Sequence, residues 1–232
     1  MKVVLQHTTA ILVFARSSGE ELRHKKIAEG GQLFEVLTEH TLKTVKMTGL
    51  PVFHIAENLQ QGVSFGERFA NAVQYVFDQG YENVIAVGND SPNLTRFHIE
   101  KAFAKLENGK SVIGPSADGG FYLMGLNRAN FKKPDFISLS WQTSQLREEI
   151  LKLLSDSGQE TFLLPTLFDI DTFWDIKILG KYTFGLDQKL LKIIRSMLSS
   201  KEKIEIPTLF FFAGFPSKIP FNKGSPSSFL SL

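Results

Sequence analysis

Three aspartates are placed so that they could share chemistry. Asp90 ends the run Val84-Ile85-Ala86-Val87-Gly88-Asn89-Asp90, which reads as a buried strand stopped by Ser91-Pro92. In an open α/β sheet the ligand crevice lies outside the carboxyl ends of the strands. A carboxylate there can hold a metal or a ligand hydroxyl where phosphates bind. Asp169 and Asp171 stand two apart in Asp169-Ile170-Asp171-Thr172, after another short apolar run. In an extended segment residues i and i+2 project to the same side, so these carboxylates can converge on one cation. Oxygen ligands of this kind suit Mg2+ or Mn2+, which bind through a few carboxylates plus substrate phosphates. Structural accounts compete: Asp169 or Asp171 could cap a helix starting near Thr172, and Asp90 could make an Asx turn before Pro92.

Asp118-Gly119-Gly120 is a third element. Asp-Gly between two short apolar runs is a tight-turn signal. Two glycines also allow close approach of a ligand to backbone N–H groups, so both readings stand. Other motifs carry less. Gly62-Val63-Ser64-Phe65-Gly66 matches a nucleophile elbow, but the polar stretch Glu57 to Gln61 leaves no strand before the serine. Gly109-Lys110-Ser111 resembles the end of a P-loop, yet Ala104 stands where its first glycine belongs. No G-x-G-x-x-G follows a strand. Asn93-Leu94-Thr95 would matter only in a secreted protein, and the five histidines lack paired metal spacing.

The elements that must position these residues follow from the apolar pattern. Ala10 to Ala15 is a strand, and the polar stretch Arg16 to Lys26 is a loop or helix start. Leu33, Val36, Leu37, Thr41 and Val45 mark a helix within Gln32 to Lys46, and Pro51 to Ala56 a second strand. Phe69, Val73, Val76 and Phe77 make a helical stripe ended by Gly80. Thr95 is placed to cap a helix with Ile99, Ala102, Phe103 and Leu106 inward. Ser111 to Gly114 and Phe121 to Leu126 are strands. Thr143 is placed to cap a helix with Leu146, Ile150, Leu153 and Leu154 inward, and Phe162 to Leu164 is a last strand. From Asp171 the pattern is helical to about Ser199. This alternation argues for βαβ units and a mostly parallel sheet covered by helices on both faces.

Bulk properties bound the rest. At 232 residues and 43% hydrophobic, the expectation is one domain, residues 1–205, with a tail, 206–232. The tail has four prolines, five serines and the cluster Phe210-Phe211-Phe212. It reads as an arm wrapping its own domain, the alternative being a partner-binding or dimer-swapping arm that would make a homodimer. A net charge of +2 with interspersed signs demands neither nucleic acid nor an anionic membrane surface. The absence of cysteine excludes disulfides, thiolate zinc and a cysteine nucleophile. The N-terminal stretch turns polar before an apolar signal core could form, and no window approaches a membrane span, so a cytoplasmic protein is expected.

Five segments occur together in a recognisable order. They are Phe14-Ala15-Arg16, Gly66-Glu67-Arg68, Gly88-Asn89-Asp90-Ser91-Pro92-Asn93-Leu94-Thr95, Gly114 through Leu123 and Asp169-Ile170-Asp171-Thr172. In this the chain resembles a family of bacterial GT-A-like glycosyltransferases, similar to the 2-phospholactate guanylyltransferases and more remotely to the nucleotide-diphospho-sugar transferases. The resemblance spans roughly residues 10 to 200. It implies a three-layer α/β/α sandwich and group transfer from a nucleotide-activated donor to an acceptor it does not identify. Asp90, Asp169 and Asp171 would hold Mg2+ or Mn2+, with Asp90 and Asp171 catalytic. Arg16, Lys25, Lys26, Arg68, Asp118, Gly119 and Gly120 would line the donor site, and Trp141 would flank the acceptor or sit in the core. Glycosyl transfer is the leading expectation. The alternatives are nucleotidyl transfer to a small phosphorylated acid, and a non-catalytic nucleotide-binding module. The chain departs from the family in its first loop, which carries Ser17-Ser18-Gly19 and His24-Lys25-Lys26-Ile27 in place of a Lys-Thr-Arg-Leu run. Asn89 replaces the usual threonine and Ser64 the usual aspartate.

Overall fold

The computed structural model describes residues 7–25, 27–28, 30–158, 160–181 and 185–199. The tail 206–232, with its expected wrapping or dimer-forming role, lies outside the described residues, as does Lys26.

Strands and helices alternate as the apolar periods predict. In chain order they are β1 (Thr9–Phe14), α1 (Ser18–His24), α2 (Gly31–Lys46), β2 (Val52–Ile55), α3 (Phe65–Asp78), β3 (Asn83–Val87) and α4 (Arg96–Glu107). There follow β4 (Ser111–Pro115), β5 (Phe121–Asn127), α5 (Lys133–Ile137), α6 (Leu146–Asp156), β6 (Thr161–Leu163), α7 (Phe173–Lys181) and α8 (Gln188–Ser199). The six strands form one sheet in the order β2-β1-β3-β5-β4-β6. Pairs β1–β2, β1–β3 and β4–β6 are parallel, whereas β5 runs antiparallel to both β3 and β4. The five residues between β4 and β5 are too few for a crossover helix, so the chain turns back on itself there.

Period-two alternation divides the strand residues between two cores. Ala10, Leu12, Val84, Ala86, Met124 and Leu126 face α3 and α6, while Ile11, Val13, Ile85, Val87 and Leu123 face α4. A third cluster joins α2 to α7 and α8 through Leu33, Val36, Leu37, Ile176, Leu190 and Ile194. The result is the expected three-layer sandwich with a mostly parallel sheet, to which α7 and α8 add a further helical pair. The stretch after Asp171 is two helices rather than one run. Gln145 rather than Thr143 occupies the N-cap position of α6, without a capping side-chain hydrogen bond, and the Thr143 hydroxyl accepts from the Gln145 N–H at 3.3 Å.

Strand β1 lies between β2 and β3, and the chain leaves it first to one side and then to the other. This is the topological switch that opens a crevice outside the carboxyl ends of β1 and β3. Arg16 follows β1 and Asp90 follows β3, so both belong to that rim.

Candidate functional site

Asp90 reaches the rim because β3 ends at Val87 and the chain turns through buried Asn89. The Asn89 side-chain amide donates to Thr38 Oγ1 at 2.9 Å and to the Arg16 carbonyl at 3.4 Å, tying the ends of β1 and β3 to α2. The second acidic segment is brought alongside by the backbone. Leu167 N–H donates to the Pro115 carbonyl, Ala117 N–H to the Leu167 carbonyl, and Ile170 N–H to the Asp90 carbonyl at 3.0 Å. A separation of about eighty residues in sequence thereby becomes one hydrogen bond in space. Neither Asp169 nor Asp171 caps α7. Thr172 and Asp175 do so, the Asp175 carboxylate accepting from the N–H groups of Asp171 and Thr172 at 3.1 and 2.7 Å. The local account of the pair is thereby assigned to other residues.

The centre of the arrangement is the Lys25 ammonium. It lies 2.7 Å from Asp90 Oδ1, 3.1 Å from Asp171 Oδ1 and 3.5 Å from Glu21 Oε2, and it donates to the Ile170 carbonyl at 2.9 Å. Only the carbonyl contact is well directed. Asp90 Oδ1 and Glu21 Oε2 are buried without an aligned hydrogen bond, so their contact with the ammonium is one of charge and proximity. Burial opposes the lysine's charge, but Asp90, Asp171 and Glu21 outweigh it and hold the proton well above the ordinary lysine range. The Phe34 ring lies beneath the ammonium at 5.6 Å.

The surrounding carboxyls answer to the same field. Burial, reinforced by the charge of Asp90, pushes Glu21 up to about 7. Asp169 is likewise raised to about 7 by burial and by Asp90, against the hydrogen bond donated by the Ser91 hydroxyl. Asp171 is raised by burial, with Lys25 opposing. Asp90 and Asp171 therefore meet at one cation, and Asp169 stands beside them bonded to Ser91. Among the described residues no group of three or more His, Cys, Asp or Glu side chains is arranged as it stands to enclose a metal ion.

The other residues singled out in the sequence divide. Asp118 accepts from the Ser116 hydroxyl at 2.5 Å and from the Gly120 N–H at 2.9 Å, and its charge reaches Asp169 and Asp171. The Gly119 N–H donates to the Ser116 carbonyl at 3.1 Å. Both glycine N–H groups are thus engaged within the turn, which corrects the expectation of free donors there. Gly119 needs its positive φ of 91°, and open space lies where a Cβ would be. Arg16 sits on the rim, its charge favouring ionised Glu21 and Glu57. Arg68 donates to the Val63 carbonyl at 2.6 Å, in the loop before its own helix, and none of the described contacts joins it to the cluster. Ser64 caps α3 in a reciprocal box with Glu67, which accounts for the elbow-like motif. Trp141 is bonded through Nε1 to the Phe136 carbonyl and packs on Phe65 and Phe69. A groove of about 320 Å³ lies elsewhere, along β2 and α3, lined by Phe53, His54, Leu59, Gln60 and Tyr75, and it contains no carboxylate.

Glu21 and Ser91 escape a reading of the sequence. The available signal for Glu21 was its i,i+4 spacing from Lys25 on α1. Nothing local marks Ser91 as the partner of Asp169.

Residues 32–143 match a family described as "Uncharacterized protein conserved in bacteria (DUF2064)". Among solved structures the chain is similar to a "putative nucleotide-diphospho-sugar transferase" from Desulfovibrio desulfuricans G20. The two are 22% identical with a TM-score of 0.74, over 84% of this chain and 98% of that one. It is also similar to a 4-diphosphocytidyl-2C-methyl-D-erythritol synthase from Anaerococcus prevotii DSM 20548, at 13% identity and a TM-score of 0.49, over 76% and 99% of the two chains. A third similar structure is Rv0371c of Mycobacterium tuberculosis H37Rv in complex with manganese, at 13% identity and a TM-score of 0.41, over 74% and 97%. No curated protein sequence matches. No described helix is long and apolar enough to cross a membrane. The family match thus covers a little under half of the chain, and the chain shares its fold with the Desulfovibrio structure.

Proposed function

We propose that this protein is a transferase that takes a nucleotide-activated donor, with glycosyl transfer from a nucleotide sugar as its reaction. The observation that carries this reading is the gathering of Lys25, Asp90, Asp169 and Asp171 at the switch point of the sheet, where such folds bind ligands. The name of the Desulfovibrio structure, which shares the fold, agrees with it.

The donor set fits a hard divalent ion. Asp90 and Asp171 aim oxygens at one cation position, and Asp90 Oδ1 and Glu21 Oε2 are buried with no aligned hydrogen bond to satisfy them. Asp90 and Asp171 would hold Mg2+ or Mn2+ together with substrate phosphates, with Asp169 alongside. Held there, such an ion would supply positive charge against a diphosphate leaving group. The chain's own groups do the remainder. Lys25 presents a permanently charged ammonium to the phosphates. Arg16 adds positive charge at the mouth of the first loop. Asp118, fixed by Ser116 and Gly120, holds the turn so that Gly119 leaves space beside the donor. Lys26 and Arg68 are assigned to the donor's anionic side on family resemblance alone.

Thermal unfolding of the wild type and Asp90→Asn with nucleoside diphosphates, triphosphates and nucleotide sugars, with and without Mn2+, tests the proposal. Ligand at about 100 times its Kd adds roughly 2.7 kcal/mol, which raises Tm by about 5–10 °C in a chain of this size. The shift should require Mn2+ and vanish in Asp90→Asn. A shift retained in Asp90→Asn would favour a nucleotide-binding module without turnover. Nucleotidyl transfer to a small phosphorylated acid would use the same cluster, and release of pyrophosphate without nucleoside diphosphate would establish it instead.

A further inference from the structure

We propose that Glu21, Asp90, Asp171 and the Ile170 carbonyl form a cation site that the chain fills with its own Lys25, so that a divalent ion enters only as Lys25 leaves. The inference rests on the reading of Asp90 and Asp171 as metal ligands and adds Glu21 and a displacement step to it.

Four oxygens from three separate parts of the chain surround one ammonium at 2.7 to 3.5 Å. A lysine that merely bridged a surface pair would be exposed, whereas the Lys25 side chain retains 11% of its accessible surface and Glu21 is 4% exposed. Glu21 is the decisive observation. Its carboxylate is carried into the site from α1, and its Oε2 is buried there with no hydrogen bond. A helix that needed only a solvated i,i+4 pair would not bury that oxygen. Hard oxygens converging without directed hydrogen bonds are what a spherical cation selects, and the ammonium satisfies only one of them with good geometry.

Lys25 is suited to leave. It follows the last turn of α1 with an extended backbone and carries its charge on a flexible four-carbon stem. Lys25 Nζ is in contact with both Asp90 and Asp171, so a divalent ion that takes the same oxygens meets direct repulsion from the ammonium, which disfavours joint occupation. A donor's phosphates supply the anion toward which the displaced ammonium moves. Without a donor the metal must displace Lys25 unaided and binds weakly.

Binding of Mn2+ alone, followed by titration calorimetry and by the electron paramagnetic resonance of the free ion, separates the possibilities in wild type, Lys25→Met, Lys25→Gln and Asp90→Asn. The expected result is Mn2+ binding at least tenfold tighter in the Lys25 variants than in wild type, and lost when Asp90→Asn is added. Equal or weaker binding in the Lys25 variants, with loss in Asp90→Asn, overturns the displacement and leaves the metal reading standing. Binding in none of the proteins overturns both. Should neither Lys25 variant fold, amine acetylation of the wild type, read by mass spectrometry, decides. Labelling of Lys25 that rises as Mn2+ is added supports displacement, and labelling that stays constant overturns it.

Discussion

The carboxyl ends of the strands carry two unlike walls. One is aromatic: Phe14 meets Phe65 and Phe69 edge-on at 5.7 and 5.5 Å, and Trp141 closes on Phe65, Phe69 and Phe121 at 4.9 to 6.0 Å. The other is ionic, with Lys25 set among Glu21, Asp90 and Asp171. The aromatic wall is held by many weak contacts, each of which adds a little and none of which depends on a proton. The ionic wall is held by few strong ones, and losing a single charge leaves its partners buried and unbalanced. A rigid wall and a poised one at the same rim suit a site that must position a substrate and also respond to it.

Three measurements would break or sharpen this contrast. The largest effect belongs to the aromatic wall. Phe69→Ala should lose about 3–5 kcal/mol of stability in urea unfolding, and the same amount at pH 5 as at pH 8. A loss that varied with pH would show that the two walls are coupled. Next, Lys25→Met should cost about 2–3 kcal/mol at pH 8, below the usual cost of breaking a buried pair because Asp90 and Asp171 keep 33% and 43% of their side-chain exposure. At pH 5 the cost should be somewhat smaller, since Glu21, the farthest of the three carboxyls, is then protonated. A cost independent of pH would mean that Lys25 contributes by packing alone.

The third measurement concerns Asp169. Its folded-state value of about 7 lies above that of a carboxyl in the unfolded chain, so between about pH 4 and 7 the folded state holds a proton that the unfolded state has released. Stability from this group is complete in acid and is lost as pH rises through 7. Asp169→Asn should therefore flatten the fall in stability between pH 4 and 7, with Glu21 still contributing its share. An unchanged slope would show that Asp169 is ionised throughout.

Local pattern in the amino-acid order was enough to determine the six strands and α2, α3, α4 and α6, because the alternation of Ala10 to Phe14 and the stripe of Phe69, Val73, Val76 and Phe77 each specify a buried face, whereas α5 and the division of the last stretch into α7 and α8 were not legible in it. It was also enough to place Asp90 at a strand end and to make Asp118-Gly119-Gly120 a turn, since Gly119 alone accepts the backbone conformation needed there. Which charges meet is a different matter. Lys25, Asp90 and Asp171 are brought together by the Ile170–Asp90 backbone hydrogen bond and by the packing of α1 on α2, and no local periodicity encodes either. The sequence offered two acidic clusters and a basic loop. Only the tertiary structure set the loop's lysine between the clusters and added Glu21, because the balance between burial and attraction that fixes a charge depends on distances the chain acquires by folding.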